Sequence, residues 1–140
     1  MLTIAFDLDE TLGVPVLQAE RMIGFQLRTG CADLLARLQR QHWLVLWSVS
    51  NRRYVEKALA FGMAQFFVKV YTWDEIPWSW KDVRQLQIDL LIDDSDYHLR
   101  QAEKHGIAER YILVPAYGSP EDSADPLRWI DTIESRLANE

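Results

Sequence analysis

The chain has little cysteine, no long apolar run and no excess of positive charge. Its one cysteine, Cys31, has no partner for an internal disulfide, which fits a reducing compartment. No apolar stretch reaches the ~18–20 residues that a membrane-crossing helix needs. No basic segment leads into an apolar one near Met1, so no secretory signal is expected, and the expected location is cytoplasmic. The net charge of −6 argues against sequence-independent nucleic-acid binding, which rests on basic surface. Repeats and low-complexity tracts are also missing. What is left is an ordinary globular composition, 49% hydrophobic and 26% charged in 140 residues. It is enough for one domain over 1–140 with a sizeable core.

The informative feature is where apolar sequence runs into acid. Leu2–Phe6 reads as a buried strand, and Asp7-Leu8-Asp9-Glu10-Thr11 follows it directly. Side chains alternate along a strand, so Asp7 and Asp9 share a face only if the extended geometry continues. A turn that gathers both acids around one point is the better expectation. That arrangement suits a nucleophile beside an acid/base, or a divalent cation site.

The remainder alternates between strand and helix signals. Val14–Leu17 and Ile23–Leu27 pair as a hairpin, a flap over about 13–28. A helix begins at Gly30 with Leu34, Leu35 and Leu38 inward. Trp43–Trp47 is a second buried strand, and a helix from Arg52 to Phe61 turns Tyr54, Val55, Ala58 and Leu59 inward before Gly62. Phe66–Tyr71 reads as a third strand. A loop, Thr72–Trp80, leads to a short helix near Asp82, a strand over Asp89–Ile92 and a helix from Asp96 to His105. Tyr111–Val114 is the fifth strand. Asp125-Pro126 looks like an N-cap and first helical position for a last helix bearing Leu127, Ile130, Ile133 and Leu137. The pattern is α/β: a Rossmann-like, three-layer domain with a mostly parallel five-stranded sheet and helices on both faces.

That topology has a chemical consequence. Ligands of open parallel sheets bind beyond the carboxyl ends of the strands. Strand one ends in Asp7, strand two in Ser48 and strand four in Asp93-Asp94, so all three groups fall on one edge. Lys81, in the loop before strand four, joins them. Four aspartates around one lysine repel each other unless a cation enters, and Mg²⁺ is the usual hard cation for carboxylates with a phosphate. Phosphate monoester hydrolysis suits this set. Asp7 is the candidate nucleophile, forming an aspartyl-phosphate. Asp9 would protonate the leaving group and later activate water, a role that needs a proton on it at the start. Ser48 would bond a phosphoryl oxygen, Lys81 would offset charge, and Asp93 and Asp94 would hold the metal, one of them through water. Thr11 and Asn51 complete the expected substrate contacts.

Taken in order, Asp7-Leu8-Asp9-Glu10-Thr11, Ser48, Lys81 and Asp93-Asp94 resemble the four motifs of the haloacid dehalogenase (HAD) superfamily over Leu2 to about Val114. The resemblance implies Asp7 as nucleophile and metal ligand. It implies Asp9 as acid/base, with its backbone carbonyl also on Mg²⁺. Arg28-Thr29-Gly30, Trp47–Asn51 and Lys81–Leu86 followed by Asp93-Asp94-Ser95 are similar to the FCP-type C-terminal-domain phosphatases and the magnesium-dependent phosphatases. The former often have Asp-Asn where this chain has Asp93-Asp94, and the analogy favours Asp94 as the direct ligand.

Only 18 residues separate Thr11 from Gly30, so no cap domain fits there, nor between Ser48 and Lys81. An uncapped site implies a large or accessible phosphorylated substrate: a phosphoprotein, a nucleic-acid end or a small phosphate ester. Trp73, Trp78 and Trp80 precede Lys81 and either pack the loop or line the entrance. Arg52 and Arg53 either hold a second anion or are solvated. His98 is expected to point away from the acids, and Cys31 to be a small buried residue. Two other readings stand beside the phosphatase: a phosphoryl-accepting signalling domain, disfavoured by motif order, and a non-catalytic binding domain that keeps the fold.

Overall fold

A computed structural model describes residues 1–140. β1 (Thr3–Phe6) is followed by a hairpin of β2 (Gly13–Gln18) and β3 (Arg21–Leu27), then α1 (Cys31–Gln39), β4 (Trp43–Trp47), α2 (Arg52–Leu59) and β5 (Lys69–Tyr71). After a long irregular segment come β6 (Leu90–Asp93), α3 (Asp96–Lys104), β7 (Tyr111–Leu113), α4 (Pro120–Ala124) and α5 (Arg128–Leu137). Five strands form one all-parallel sheet in the order β5-β4-β1-β6-β7. The chain leaves β1 for β4 on one side and later returns to β6 on the other. The crevice at this switch lies beyond the ends of β1 and β6, where ligands of such sheets bind.

Strand alternation divides the core into two layers. Ile4, Phe6, Leu44, Leu46, Leu90, Ile92 and Ile112 face α1, α2 and α5, meeting Leu34, Leu35, Val55, Ala58, Trp129 and Ile133. Ala5, Val45, Trp47, Leu91 and Tyr111 face the other way, toward Ala102 of α3 and toward Ile76, Val83 and Ile88. Both faces are covered, which is why the strands read as continuous apolar runs rather than as alternation. The second face has only one helix. The irregular stretch between β5 and β6 covers the rest of it.

Two glycines are required by geometry. Gly30 opens α1 at φ +78°, and a Cβ there would lie 2.6 Å from Ile130 Cδ1. A Cβ on Gly13 would lie 2.1 Å from the Gln26 carbonyl oxygen, so the flap closes against its own backbone only without a side chain. The flap turns at Ala19 and Glu20, both left-handed, as a two-residue hairpin turn demands.

Two expected boundaries are corrected. Phe66 lies in a 3-10 turn, Ala64–Phe66, and β5 begins only at Lys69, where the chain reaches pairing register with Val45. Asp125-Pro126 is not the start of the last helix. Asp125 closes α4, and α5 begins at Arg128 with no side-chain cap. The stronger start signal is upstream: the Ser119 side chain accepts from the Asp122 N–H, and Pro120 holds the first turn.

Arg28 ties these C-terminal helices to the loop after β1. It is 2% exposed, pairs with Asp122 at 2.7 Å, donates to the Thr11 carbonyl at 3.2 Å and lies 4.5 Å over the Trp129 ring. Its Nε has no partner. Removing one member of a buried pair leaves the other charge uncompensated. Asp122→Ala is therefore expected to lower stability by about 3–5 kcal/mol, read as a shift in urea midpoint. Replacing both partners, Arg28→Met with Asp122→Leu, should recover part of the loss.

Candidate active site

β1 delivers Asp7 to the sheet edge, with its N–H bonded to the Ile92 carbonyl at 3.0 Å as a last rung of the ladder. The chain then turns. Glu10 is left-handed at φ 66°, and its N–H donates to the Gly13 carbonyl at 2.8 Å. The turn sends the two acids to different neighbours instead of to one point.

Asp7 joins Lys81, Asp93, Asp94 and Thr11. Lys81 Nζ donates to Asp7 Oδ1 at 2.9 Å and to Asp93 Oδ2 at 2.8 Å, and the lysine is 2% exposed. Asp93 Oδ1 also accepts from the Ser95 N–H at 3.0 Å. Burial pushes Asp7 up to about 6 against the opposing pull of Lys81. Burial likewise raises Asp93 and Asp94. Burial acts to lower Lys81, but the Asp7 and Asp93 carboxylates outweigh it and hold the ammonium above the ordinary lysine range.

Thr11 sits between the acids and is fully buried. Its hydroxyl lies 2.9 Å from Asp7 Oδ2 and 2.8 Å from Asp94 Oδ1, and accepts the Asp94 N–H at 3.0 Å. One hydroxyl proton serves only one of two carboxylates. The other contact needs a proton on an acid, or a cation in the proton's place. Thr11 thus orients the acids from behind and does not face the open edge.

The carboxylate oxygens of Asp7, Asp93 and Asp94 lie within 4.8 Å of one another. Three hard oxygen donors fit Mg²⁺ better than a softer metal. Asp93 is already engaged by Lys81 and Ser95 and is buried, whereas Asp94 is half-buried. The Asp9 carboxylate is not part of this cluster.

Asp9 instead faces α2. Tyr54 Oη donates to Asp9 Oδ1 at 2.5 Å, and Ser50 Oγ lies 3.5 Å from Oδ2. Tyr54 reads in the sequence as a packing residue. Its signal is an aromatic hydroxyl one turn into a helix that starts at the acidic edge, because a buried phenol needs a polar partner. Burial and the nearby Asp9 carboxylate keep that phenol protonated.

Ser48 is buried at the end of β4, and its Oγ accepts the Ser50 N–H at 3.0 Å. Asn51 is an N-cap: its Oδ1 accepts the Tyr54 N–H at 2.8 Å. Arg52 is engaged rather than free, with Nη2 2.6 Å from Glu75 Oε1 and 3.0 Å from the Val70 carbonyl. Cys31 is buried, as expected, and burial pushes its thiol up to about 12.

His98 does not point away. It is 8% exposed, its Nδ1 accepts the Lys81 N–H at 3.0 Å, and Nε2 lies 3.9 Å from Asp93 Oδ2. A helix that starts two residues after Asp94 turns its third residue back under the edge. Burial, then Lys81, pushes the imidazole down to about 4, so it is neutral at pH 7. Tyr111 Oη holds the other side of the Lys81 peptide, donating to its carbonyl at 2.6 Å.

No protein-family model matches this chain, and a comparison with curated proteins returns no match.

Lys81→Met would leave Asp7 and Asp93 facing each other without their shared cation. In chelator at pH 7 the substitution is expected to cost about 3–5 kcal/mol. The loss should shrink toward pH 5. Without the lysine, both carboxyls bind protons more tightly folded than unfolded, so the fold regains stability as pH falls through their raised values. Urea denaturation at the two pH values checks this.

Proposed function

We propose that this chain is a Mg²⁺-dependent phosphatase of the HAD type, hydrolysing a phosphate monoester through an aspartyl-phosphate on Asp7. The observation that carries the reading is the different surroundings of the two acids on one turn. Asp7 shares a buried ammonium with Asp93, while the Asp9 carboxylate stands apart on Tyr54. The first environment suits a nucleophile beside charge-neutralising groups, and the second supports a proton carrier.

An oxygen of the Asp7 carboxylate attacks phosphorus as the ester P–O bond breaks. The electron pair leaves with the ester oxygen, which takes a proton from Asp9. Asp9 then removes a proton from water as that water attacks the aspartyl-phosphate, releasing inorganic phosphate and restoring Asp7. The Ser48 hydroxyl accepts from Ser50 but donates to no group of the protein, so its proton is available to a phosphoryl oxygen. Lys81 neutralises Asp7 and the equatorial oxygens. Asp7, Asp93 and Asp94, whose carboxylates converge, would hold Mg²⁺, and the family resemblance adds the backbone carbonyl of Asp9. The ion supplies charge neutralisation for the phosphate dianion. No inserted domain covers the edge, which supports a large or accessible substrate.

The direct test is turnover of p-nitrophenyl phosphate with Mg²⁺. Activity is expected to vanish in EDTA, to return with added Mg²⁺, and to be lost in Asp7→Asn. No turnover across phosphopeptides, sugar phosphates, nucleotides and 3′-phosphorylated oligonucleotides would sink the reading. A burst that stops at one phosphate per chain would identify a phosphoryl-accepting domain instead.

Tyr54→Phe should separate positioning from packing. It is expected to lower kcat/KM, which reports the leaving-group step and not the hydrolysis of the common aspartyl-phosphate, about 10-fold on an alkyl phosphate, a part of the ~10²–10⁴ that acid–base catalysis supplies. On dinitrophenyl phosphate, whose leaving group needs no proton, the change should be below about 2-fold. Equal losses on both substrates would show that the phenol only packs α2.

A further inference from the structure

Beside Ser48 and Lys81 lies a cleft of about 90 Å³ that four tryptophans, Trp47, Trp73, Trp78 and Trp80, line together with Ile76, while Ser79 and His98 add polar groups. Trp47 and Ile76 are buried and form its floor. Trp80 backs it, stacked on His105 at 5.2 Å. Trp73 and Trp78 stand at the rim, 45% and 37% exposed, with Val49 at 56%. Large apolar side chains left open beside a polar site mark a place where a ligand covers them.

The walls are mounted rigidly. The Trp73 N–H donates to the Ser50 carbonyl at 2.9 Å. Glu75 accepts from the Thr72 N–H at 3.1 Å and from its hydroxyl at 2.9 Å, and Arg52 clamps the same carboxylate. The Arg52 N–H bonds Asp74 at 3.1 Å. At the other end, His98 and Tyr111 fix the Lys81 peptide. Trp78 meets Trp47 edge to face, ring centroids 6.4 Å apart at 77°. The rim is therefore held in place before any ligand arrives.

We infer that this cleft is the leaving-group subsite and takes one aromatic ring, so that the substrates are phosphate monoesters of phenols. The inference rests on the phosphatase reading and names the substrate class for it. A ring in the cleft leaves its phosphate end beside Ser48 and Lys81, which line the same space. At about 90 Å³ the cleft is smaller than the ~150 Å³ cavity that encloses a benzene. It accepts one ring entering by its edge, not a fused base carrying a sugar. Recognition through a second anion is disfavoured because Arg52 is committed to Glu75 and the Val70 carbonyl. Aromatic walls meeting edge to face favour a ring over an alkyl chain of equal size.

Two substrate pairs and one binding comparison test this. Phenyl phosphate is expected to exceed ethyl phosphate in kcat/KM, and Trp78→Ala should lower the phenyl value about 10-fold while changing the ethyl value less than about 2-fold. Trp78→Phe, which keeps a ring, should restore most of the loss. A phosphotyrosine peptide beside free phenyl phosphate separates a protein source from a small ester. Binding of phenylphosphonate against methylphosphonate, followed by tryptophan fluorescence, reads the subsite without turnover. Preference for the phenyl compound, lost in Trp78→Ala, supports the subsite. Equal binding of the two, equal losses on both esters, or preference for 5′-nucleotides overturns it. Absence of any turnover overturns the phosphatase reading alone, and the phosphonate comparison still decides the cleft.

Discussion

The buried Lys81 ammonium is the interaction on which the rest depends. Two carboxylates at the ends of adjacent strands, Asp7 on β1 and Asp93 on β6, converge on one Nζ. Neither acid could stand beside the other at this depth without it, since burial already pushes both upward. The two acids in turn hold the lysine ammonium above its ordinary range against the opposing effect of burial. Such a triad adds little net stability compared with apolar packing. Its effect is on geometry: it sets the separation of two strand tips and leaves one face of Asp7 and Asp94 toward the open edge.

A second set of polar contacts holds this arrangement from behind. Thr11 touches both Asp7 and Asp94, and its carbonyl accepts from the buried Arg28. Arg28 reaches through Asp122 and Trp129 to the C-terminal helices. The turn after β1 is thereby braced by residues about one hundred positions away. Polar networks of this kind are costly when half-made and rigid when complete. The unpartnered Arg28 Nε is the one loose end.

Around this frame the edge is asymmetric. On one side Asp9 leans on Tyr54 and Ser50 of the α2 end. On the other, the segment that replaces a helix over the second face presents its tryptophans. Arg52 joins the two sides, since it starts α2 and clamps Glu75 of the tryptophan segment. Ser50 links the two groups as well, its hydroxyl 3.5 Å from Asp9 Oδ2 and its carbonyl accepting the Trp73 N–H.

Strand and helix types follow from the sequence because parallel strands buried on both faces need unbroken apolar runs and their helices need an apolar stripe. Leu2–Phe6, Trp43–Trp47 and the stripe at Leu34, Leu35 and Leu38 all carry that pattern. Placement of Asp7, Ser48, Lys81 and Asp93-Asp94 at one edge follows as well, once the strands are parallel. Short-range competition is not legible in the same way: Ser119-Pro120 outcompetes Asp125-Pro126 as a helix start, and Phe66 stays in a turn because β5 pairs only from Lys69. Directions of individual side chains are legible least. That Asp9 turns to Tyr54, that His98 turns under Lys81, and that Arg28 reaches Asp122 depend on residues far apart in the chain and on which face each helix presents. By itself the sequence determined the α/β alternation and the set of reactive residues that parallel strands bring to one edge. Only the tertiary structure decided which acid shares the buried lysine, which stands apart, and which tryptophans line the space beside them, because those are set by long-range packing and desolvation, which no local pattern encodes.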